Sequence, residues 1–192
     1  MALYPPAGGA LDLRNFPNFG ARRIEAAVRA AALDVEVAFV ESWEASEGEM
    51  IARVVEAAPD VLAVSAYMWS LPRLLRIVAG VRARCPAVRV VLGGPQAHPN
   101  VLQLPAFRDQ VDGVEAIVLE EPELTFVALL TALSTGRPMR SVPGLAVRED
   151  GRWVRTAPAS ESALISNALI IVSLFAASTA RWIGRSGSAT IA

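Results

Sequence analysis

Lysine is missing from this chain altogether: the eighteen Lys+Arg positions are all arginine. That excludes a Walker lysine and a Schiff-base lysine, and with them P-loop phosphoryl transfer and lysine-based covalent catalysis. One cysteine, Cys85, cannot build a disulfide framework, a zinc cluster or an iron–sulfur cluster within this chain. One histidine, His98, equally excludes a multi-histidine metal centre. A net charge of -1 over 192 residues leaves no electrostatic footprint for nucleic acid. The opening stretch MALYPPAGG lacks the charged-then-apolar pattern of a secretory signal. A reducing, cytoplasmic setting is therefore the expectation.

What remains is apolar and periodic. Hydrophobic residues make up 53% of the chain, enough for one sizeable buried core. Residues 20–32 are alanine-rich, with Ile24, Val28 and Ala31 on one helical face. Residues 35–40 (VEVAFV) form a short strand-like run. Ser46 with Glu49 three residues on predicts a capped helix reaching residue 58. The run 61–65 (VLAVS) is apolar enough for a strand covered on both faces. Helix 71–84, strand 88–92, a short helix within 100–110, strand 114–119 and helix 123–134 follow. Asp150-Gly151, between residues 145–148 and 153–156, is the strongest short hairpin signal. With a first strand at residues 10–14, the pattern predicts an α/β fold. Its core is a doubly wound, flavodoxin-like (Rossmann-like) five-stranded parallel sheet, followed by a β-hairpin.

Composition changes after Glu161, beyond which no acidic residue occurs. Residues 163–180 carry no charge and read as a hydrophobic C-terminal helix. The alternatives are a borderline membrane span of nearly the ~20 residues required, or a tail unrelated to the preceding domain, as from a shifted reading frame. The expected organisation is an α/β domain over residues 1–142, a hairpin and linker over 143–158, and an apolar helix and tail over 159–192.

In a doubly wound sheet, ligands bind beyond the carboxyl ends of the strands. Those ends place Ser65, Tyr67, Met68 and Trp69 near Gly93, Gly94, Pro95 and Gln96, with Glu120, Glu121 and Glu123 alongside. The two glycines, lacking a Cβ, would let backbone approach a bulky ligand, and Gly94→Trp is expected to fill that approach without disturbing the fold. Ser65 offers a small hydroxyl, and the aromatic segment offers polarizable surface for a planar group. The glutamates are open to two readings, an acid/base pair or a helix cap with solvated neighbours. No catalytic triad, zinc signature or G-x-G-x-x-G can be written, and no catalytic or metal-ligating residue is assigned.

Residues 59–99 (PDVLAVSAYMWSLPRLLRIVAGVRARCPAVRVVLGGPQAHP) and 111–130 (VDGVEAIVLEEPELTFVALL) carry a family resemblance. They resemble the N-terminal cobalamin-binding domain of B12-dependent radical SAM proteins. In that family a Ser/Trp segment follows the third strand, Gly-Gly-Pro the fourth and an acidic Gly-Glu-Pro-Glu segment the fifth. Residues 16–32 (FPNFGARRIEAAVRAAA) resemble its first loop and helix. The chain departs from the pattern in having Glu120 where the family has glycine, and in lacking the cobalt-ligating Asp-x-His-x-x-Gly. The resemblance ends near Pro158, before the radical SAM barrel and its three-cysteine motif would begin.

The resemblance implies a corrin held base-off at the strand ends, without a histidine on cobalt. Ser65, Tyr67, Gly93, Gly94, Pro95 and Gln96 would line the corrin and its tail, with Trp69 and Glu121 beside them. Whole family members relay a methyl group from S-adenosylmethionine to a substrate. This chain alone, holding no iron–sulfur cluster, is expected to lack that activity and to work with a radical SAM domain supplied by another chain. The alternatives are a truncated, ligand-free flavodoxin-like interaction module, or a protein held at a membrane through residues 163–180.

Overall fold

The computed structural model describes residues 19–40, 42, 45–120 and 122–159. The expected strand at 10–14 and the apolar segment 163–180 lie outside the described residues. Among those described, no helix is long and apolar enough to cross a membrane.

Helix α1 (Phe19–Ala30) is drawn from the alanine-rich segment and turns Val28 fully inward. Helix α2 (Glu47–Ala57) opens on the predicted capping box. Ser46 N–H donates to Glu49 Oε2 at 2.7 Å, and Glu49 N–H donates to Ser46 Oγ at 3.3 Å. Strand β1 (Val61–Ser65) leads into α3 (Leu71–Arg82), which has proline in its first turn and buries Leu71, Leu75, Val78 and Val81. Strand β2 (Arg89–Gly93), the short helix α4 (Pro99–Leu102) and strand β3 (Ala116–Val118) follow. Helix α5 (Pro122–Ser134) precedes the hairpin strands β4 (Leu145–Glu149) and β5 (Arg152–Arg155).

Strands β1, β2 and β3 are parallel neighbours, as the alternation of helix and strand predicts. The period of two along each strand divides the core. Val90, Leu92 and Ile117 join Val54 of α2 and the buried stripe of α3 on one face. Val61, Val91, Ala116 and Val118 meet Val28 of α1 and Phe126 and Leu129 of α5 on the other. Helices on both faces make the sheet doubly wound.

The described five-stranded sheet is mixed where an all-parallel one was expected, because the hairpin joins it. The connection from α5 buries Met139 and Val142 and carries the chain back to the carboxyl end of β3. There Leu119 N–H donates to the Gly144 carbonyl at 2.9 Å. β4 can then only run antiparallel to β3, pairing Val118 with Leu145 and Ala116 with Val147. Positive φ at Asp150 (47°) and Gly151 (76°) gives the tight turn that the Asp-Gly pair encodes. Segment 35–40 differs as well. Its valines pack into both cores, and among the described residues of the segment Ala38 alone makes a ladder bridge.

The capping box sets the acid response of α2. Glu49 is held below the ordinary glutamate range first by the Ser46 backbone N–H and then by the Ser46 hydroxyl. A carboxyl lowered in the folded state stabilises above its unfolded pKa, and the contribution is lost as pH falls through the folded one. Ser46→Ala should cost about 1 kcal/mol in urea unfolding at neutral pH. Glu49→Gln should be less stable than the parent at neutral pH, and the two curves should converge on acidification. Parallel curves across that range would remove the carboxylate from the account.

Candidate functional site

The site grows from the β1–β2 ladder. Register pairs Val61 with Arg89 and continues residue by residue to Ser65 with Gly93. Since Val61 and Val91 face α1 and α5, the period of two turns Ser65 and the Cα hydrogens of Gly93 to that same face. They lie side by side where the strands stop. Beyond them the backbone continues to bond across: Ala66 N–H donates to the Gly93 carbonyl at 2.7 Å, and Gln96 N–H to the Ala66 carbonyl at 3.1 Å.

The two glycines do different things. Gly94 sits at φ +93°, and a Cβ there would stand 2.7 Å from the Ala66 carbonyl oxygen and 2.9 Å from its nitrogen. Its bareness serves the turn. Gly93 has nothing within 4 Å of a Cβ position, so its bareness opens onto free space. The expectation that Gly94→Trp would spare the fold is therefore corrected: the position open to a ligand is Gly93.

That space belongs to an apolar cavity of about 410 Å³. Ser65, Tyr67, Gly93, Gly94 and Pro95 line its strand-end mouth. Gly20, Ala21 and Ile24 of α1 close one side, and Pro122 and Phe126 of α5 the other, above Val91 and Val118. The cavity also wraps the outer edge of β1 as far as Val54 and Leu74 on the opposite face. Among the described residues β1 has a single ladder partner, β2. The α1 and α5 wall residues were not singled out as site residues from sequence. The signal was present in Gly20-Ala21, where two small residues at a helix start leave room rather than fill a core.

The wall is tied by charge. Arg23 of α1 and Glu123 of α5 approach to 2.6 Å, with Glu123 largely covered. Arg22 lies 3.8 Å over the Phe39 ring and pulls segment 35–40 against α1. Of the three glutamates, Glu123 is thus committed to α1. Glu120 Oε2 accepts from Ala159 N–H at 3.1 Å, which turns its carboxylate toward the chain leaving β5. Glu121 lies outside the described residues. No acid/base pair forms from Glu120 and Glu123, each being engaged elsewhere.

Tyr67 and Trp69 stack with ring centroids 5.1 Å apart and an interplanar angle of 17°. The Ser70 hydroxyl accepts from Tyr67 N–H at 3.2 Å and fixes the turn that sets them parallel. Trp69 remains 63% exposed beyond the cavity mouth, and neither it nor the Gln96 side chain lines the cavity. His98 caps α4, its Nδ1 accepting from Asn100 N–H at 3.2 Å. Among the described residues no group of three or more His, Cys, Asp or Glu side chains could hold a metal.

Comparison with known proteins falls on the same elements. The family model described as the B12 binding domain matches residues 13–130 of the 192-residue chain. The cobalamin-dependent radical SAM methyltransferase TokK of Streptomyces tokunonensis is 38% identical over 102 residues, 52% of this chain and 14% of that protein. The 2-(S-pantetheinyl)-carbapenam-3-carboxylate methyltransferase of Streptantibioticus cattleyicolor is 34% identical over 112 residues, 58% of this chain and 16% of that protein. The anaerobic magnesium-protoporphyrin IX monomethyl ester cyclase of Synechocystis is 26% identical over 158 residues, 81% of this chain and 31% of that protein. This chain therefore spans less than a third of each of these relatives. Among solved structures, the radical S-adenosylmethionine methyltransferase TsrM from Kitasatospora setae, with cobalamin and a [4Fe-4S] cluster bound, aligns over 72% of this chain and 25% of that one. Its TM-score is 0.55 at 21% identity, a likeness of fold.

The contrast between the glycines is measurable without a ligand. Gly94→Ala should destabilise by roughly 1–3 kcal/mol, since an ordinary residue is strained at that φ and its Cβ meets backbone. Gly93→Ala should change stability by less than about 1 kcal/mol. Urea unfolding of both variants checks the order, and equal losses would place the constraint elsewhere.

Proposed function

The chain belongs to the B12-binding domain family, and from that premise we propose that it holds cobalamin base-off at the carboxyl ends of its parallel strands, as the cofactor-carrying part of a radical SAM methyltransferase-like system. The observation that carries the reading is Ser65 beside Gly93, in register on one face, opening into an apolar cavity walled by α1 and α5. A cofactor that stays coordinated by its own base presents a bulky, folded underside. One with the base displaced needs a separate slot for a flat aromatic group, and the 410 Å³ cavity is a slot of that character.

The residues present fit such a group. Ser65 supplies a hydroxyl at the mouth, Gly93 a stretch of backbone without a side chain, and Ile24, Val91 and Phe126 the apolar walls. Tyr67 and Pro95 stand at the rim where the corrin would lie, with Trp69 stacked behind Tyr67, and Gln96 is proposed to reach the corrin from beyond the cavity. Glu121 is a further proposed contact of the cofactor, carried from the family pattern. When bound, cobalamin supplies a cobalt that can accept and hand on a methyl group. The chain's own part is to bind, orient and keep water from the tail.

Two observations support the absence of a histidine on cobalt. The sole histidine already offers Nδ1 to Asn100 N–H, and its Nε2 lies 3.0 Å from Arg155 Nη2. No catalytic residue is proposed here: radical SAM chemistry needs three clustered cysteines, and this sequence holds one. A radical SAM domain is the partner this reading calls for. A cytoplasmic setting goes with it, where a lone thiol such as Cys85 stays reduced. In the same reading the binding unit runs past residue 142, because the hairpin strands complete its sheet.

The full chain mixed with hydroxocobalamin and desalted should retain the cofactor stoichiometrically, with a base-off visible spectrum. Gly93→Trp should lower retention at least tenfold, or about 1.4 kcal/mol, while unfolding in urea like the parent. A folded parent that retains nothing would overturn the reading in favour of a ligand-free interaction module.

A further inference from the structure

Strands β3, β4 and β5 run alternately, so β5 finishes beside the start of β4, at the end where β3 stops. Arg155, the last residue of β5, therefore stands at the ligand end of the sheet. There its Nη2 meets Nε2 of His98 at 3.0 Å. The other ring nitrogen, Nδ1, accepts from Asn100 N–H at 3.2 Å.

This arrangement has one acceptor too few. A guanidinium and a backbone amide are donors only, and a neutral imidazole has a single acceptor nitrogen. In either tautomer one ring N–H is set against another N–H. In the tautomer that keeps the Nδ1 acceptor for the Asn100 amide, the proton lies on Nε2. Nε2–H and the Arg155 fork then face each other as donors. Arg155 has no carboxylate partner among the described residues. It also lines a cleft of about 80 Å³ with Thr156 and Glu120, and the Glu120 carboxylate there is engaged by Ala159 N–H.

We infer that His98 and Arg155 together receive an oxyanion of the phosphate class at the carboxyl end of the sheet, on the side of Ile117 and Ala146. The guanidinium fork can hold two of its oxygens, and Nε2–H a third. One acceptor group so placed satisfies every donor that now faces another donor. Two sources present this chemistry: free inorganic phosphate, and the phosphodiester in the nucleotide tail of cobalamin. The second source rests on the function proposed above; the first does not.

His98 is the sole histidine, so its ring proton signals in an NMR spectrum of the full chain are assigned on sight. Titration with inorganic phosphate should move them saturably. Arg155→Gln should weaken that response about tenfold or more, the loss of a charge-assisted pair. Arg152→Gln, on the same exposed strand, should leave it unchanged. No saturable shift in the folded parent, or equal weakening by both variants, would overturn the site. Repeating the titration with hydroxocobalamin and then with dicyanocobinamide, which lacks the nucleotide phosphate, separates the sources. If phosphate no longer moves His98 with cobalamin present but still does with cobinamide, the tail is the anion. If it moves His98 in both, the source is free phosphate. Failure to retain either corrinoid would count against the proposed function alone, since the first titration contains neither.

Discussion

Ala66 N–H reaches the Gly93 carbonyl across 2.7 Å, one step past the last strand pair, and the ligand end of the molecule is organised by that bond. It keeps two strands parallel just where their side chains run out. The return bond from Gln96 N–H to the Ala66 carbonyl then folds the second strand's exit over the first. Gly94 must adopt a positive φ for this to close, and the space a Cβ would need is filled by Ala66 itself. Ser65 and Gly93 are left level and facing one way. Everything proposed for the site depends on that levelling.

Around this point the two faces of the sheet are put to different uses. Helix α3 seals its face with a full apolar stripe, braced to α2 by the Arg76–Glu47 pair at 2.6 Å. The opposite face is sealed by α5 only in part. Helix α1 begins with Gly20 and Ala21, which leave room above Val91 and Val118. The Arg23–Glu123 contact holds α1 and α5 at the spacing that keeps the cavity open. The space at the strand ends lies mainly between α1 and α5 and continues round the edge of β1 to α2 and α3.

The hairpin serves the same end of the molecule. Its joining to β3 brings Arg155 up to His98, and it directs the chain past Glu120, whose carboxylate holds Ala159 N–H. Glycine in place of Glu120 could not make that contact. The departure from the family pattern at this position thus has a local physical role in the path of the outgoing chain.

Much of this was legible from residue order, because it depends on local chemistry. Ser46 and Glu49 announce a cap, Pro72 a helix start, Asp150-Gly151 a tight turn, and the apolar runs their strands. The positions Ser65, Tyr67, Gly93, Gly94 and Pro95 converge as strand-end logic requires. Other features were not legible, since they depend on which elements meet. The sequence could not tell which of two adjacent glycines faces open space; that depends on pleat and register. Nor could it tell that the hairpin would complete the sheet rather than follow it, which was decided by where the α5–β4 connection returns the chain. The meeting of His98 with Arg155, 57 positions apart, lies furthest from any local signal. Composition and pattern determined that this chain builds a doubly wound sheet. Tertiary packing alone decided where that sheet leaves a space and which donors stand beside it, because both are properties of distances between elements and not of any one element.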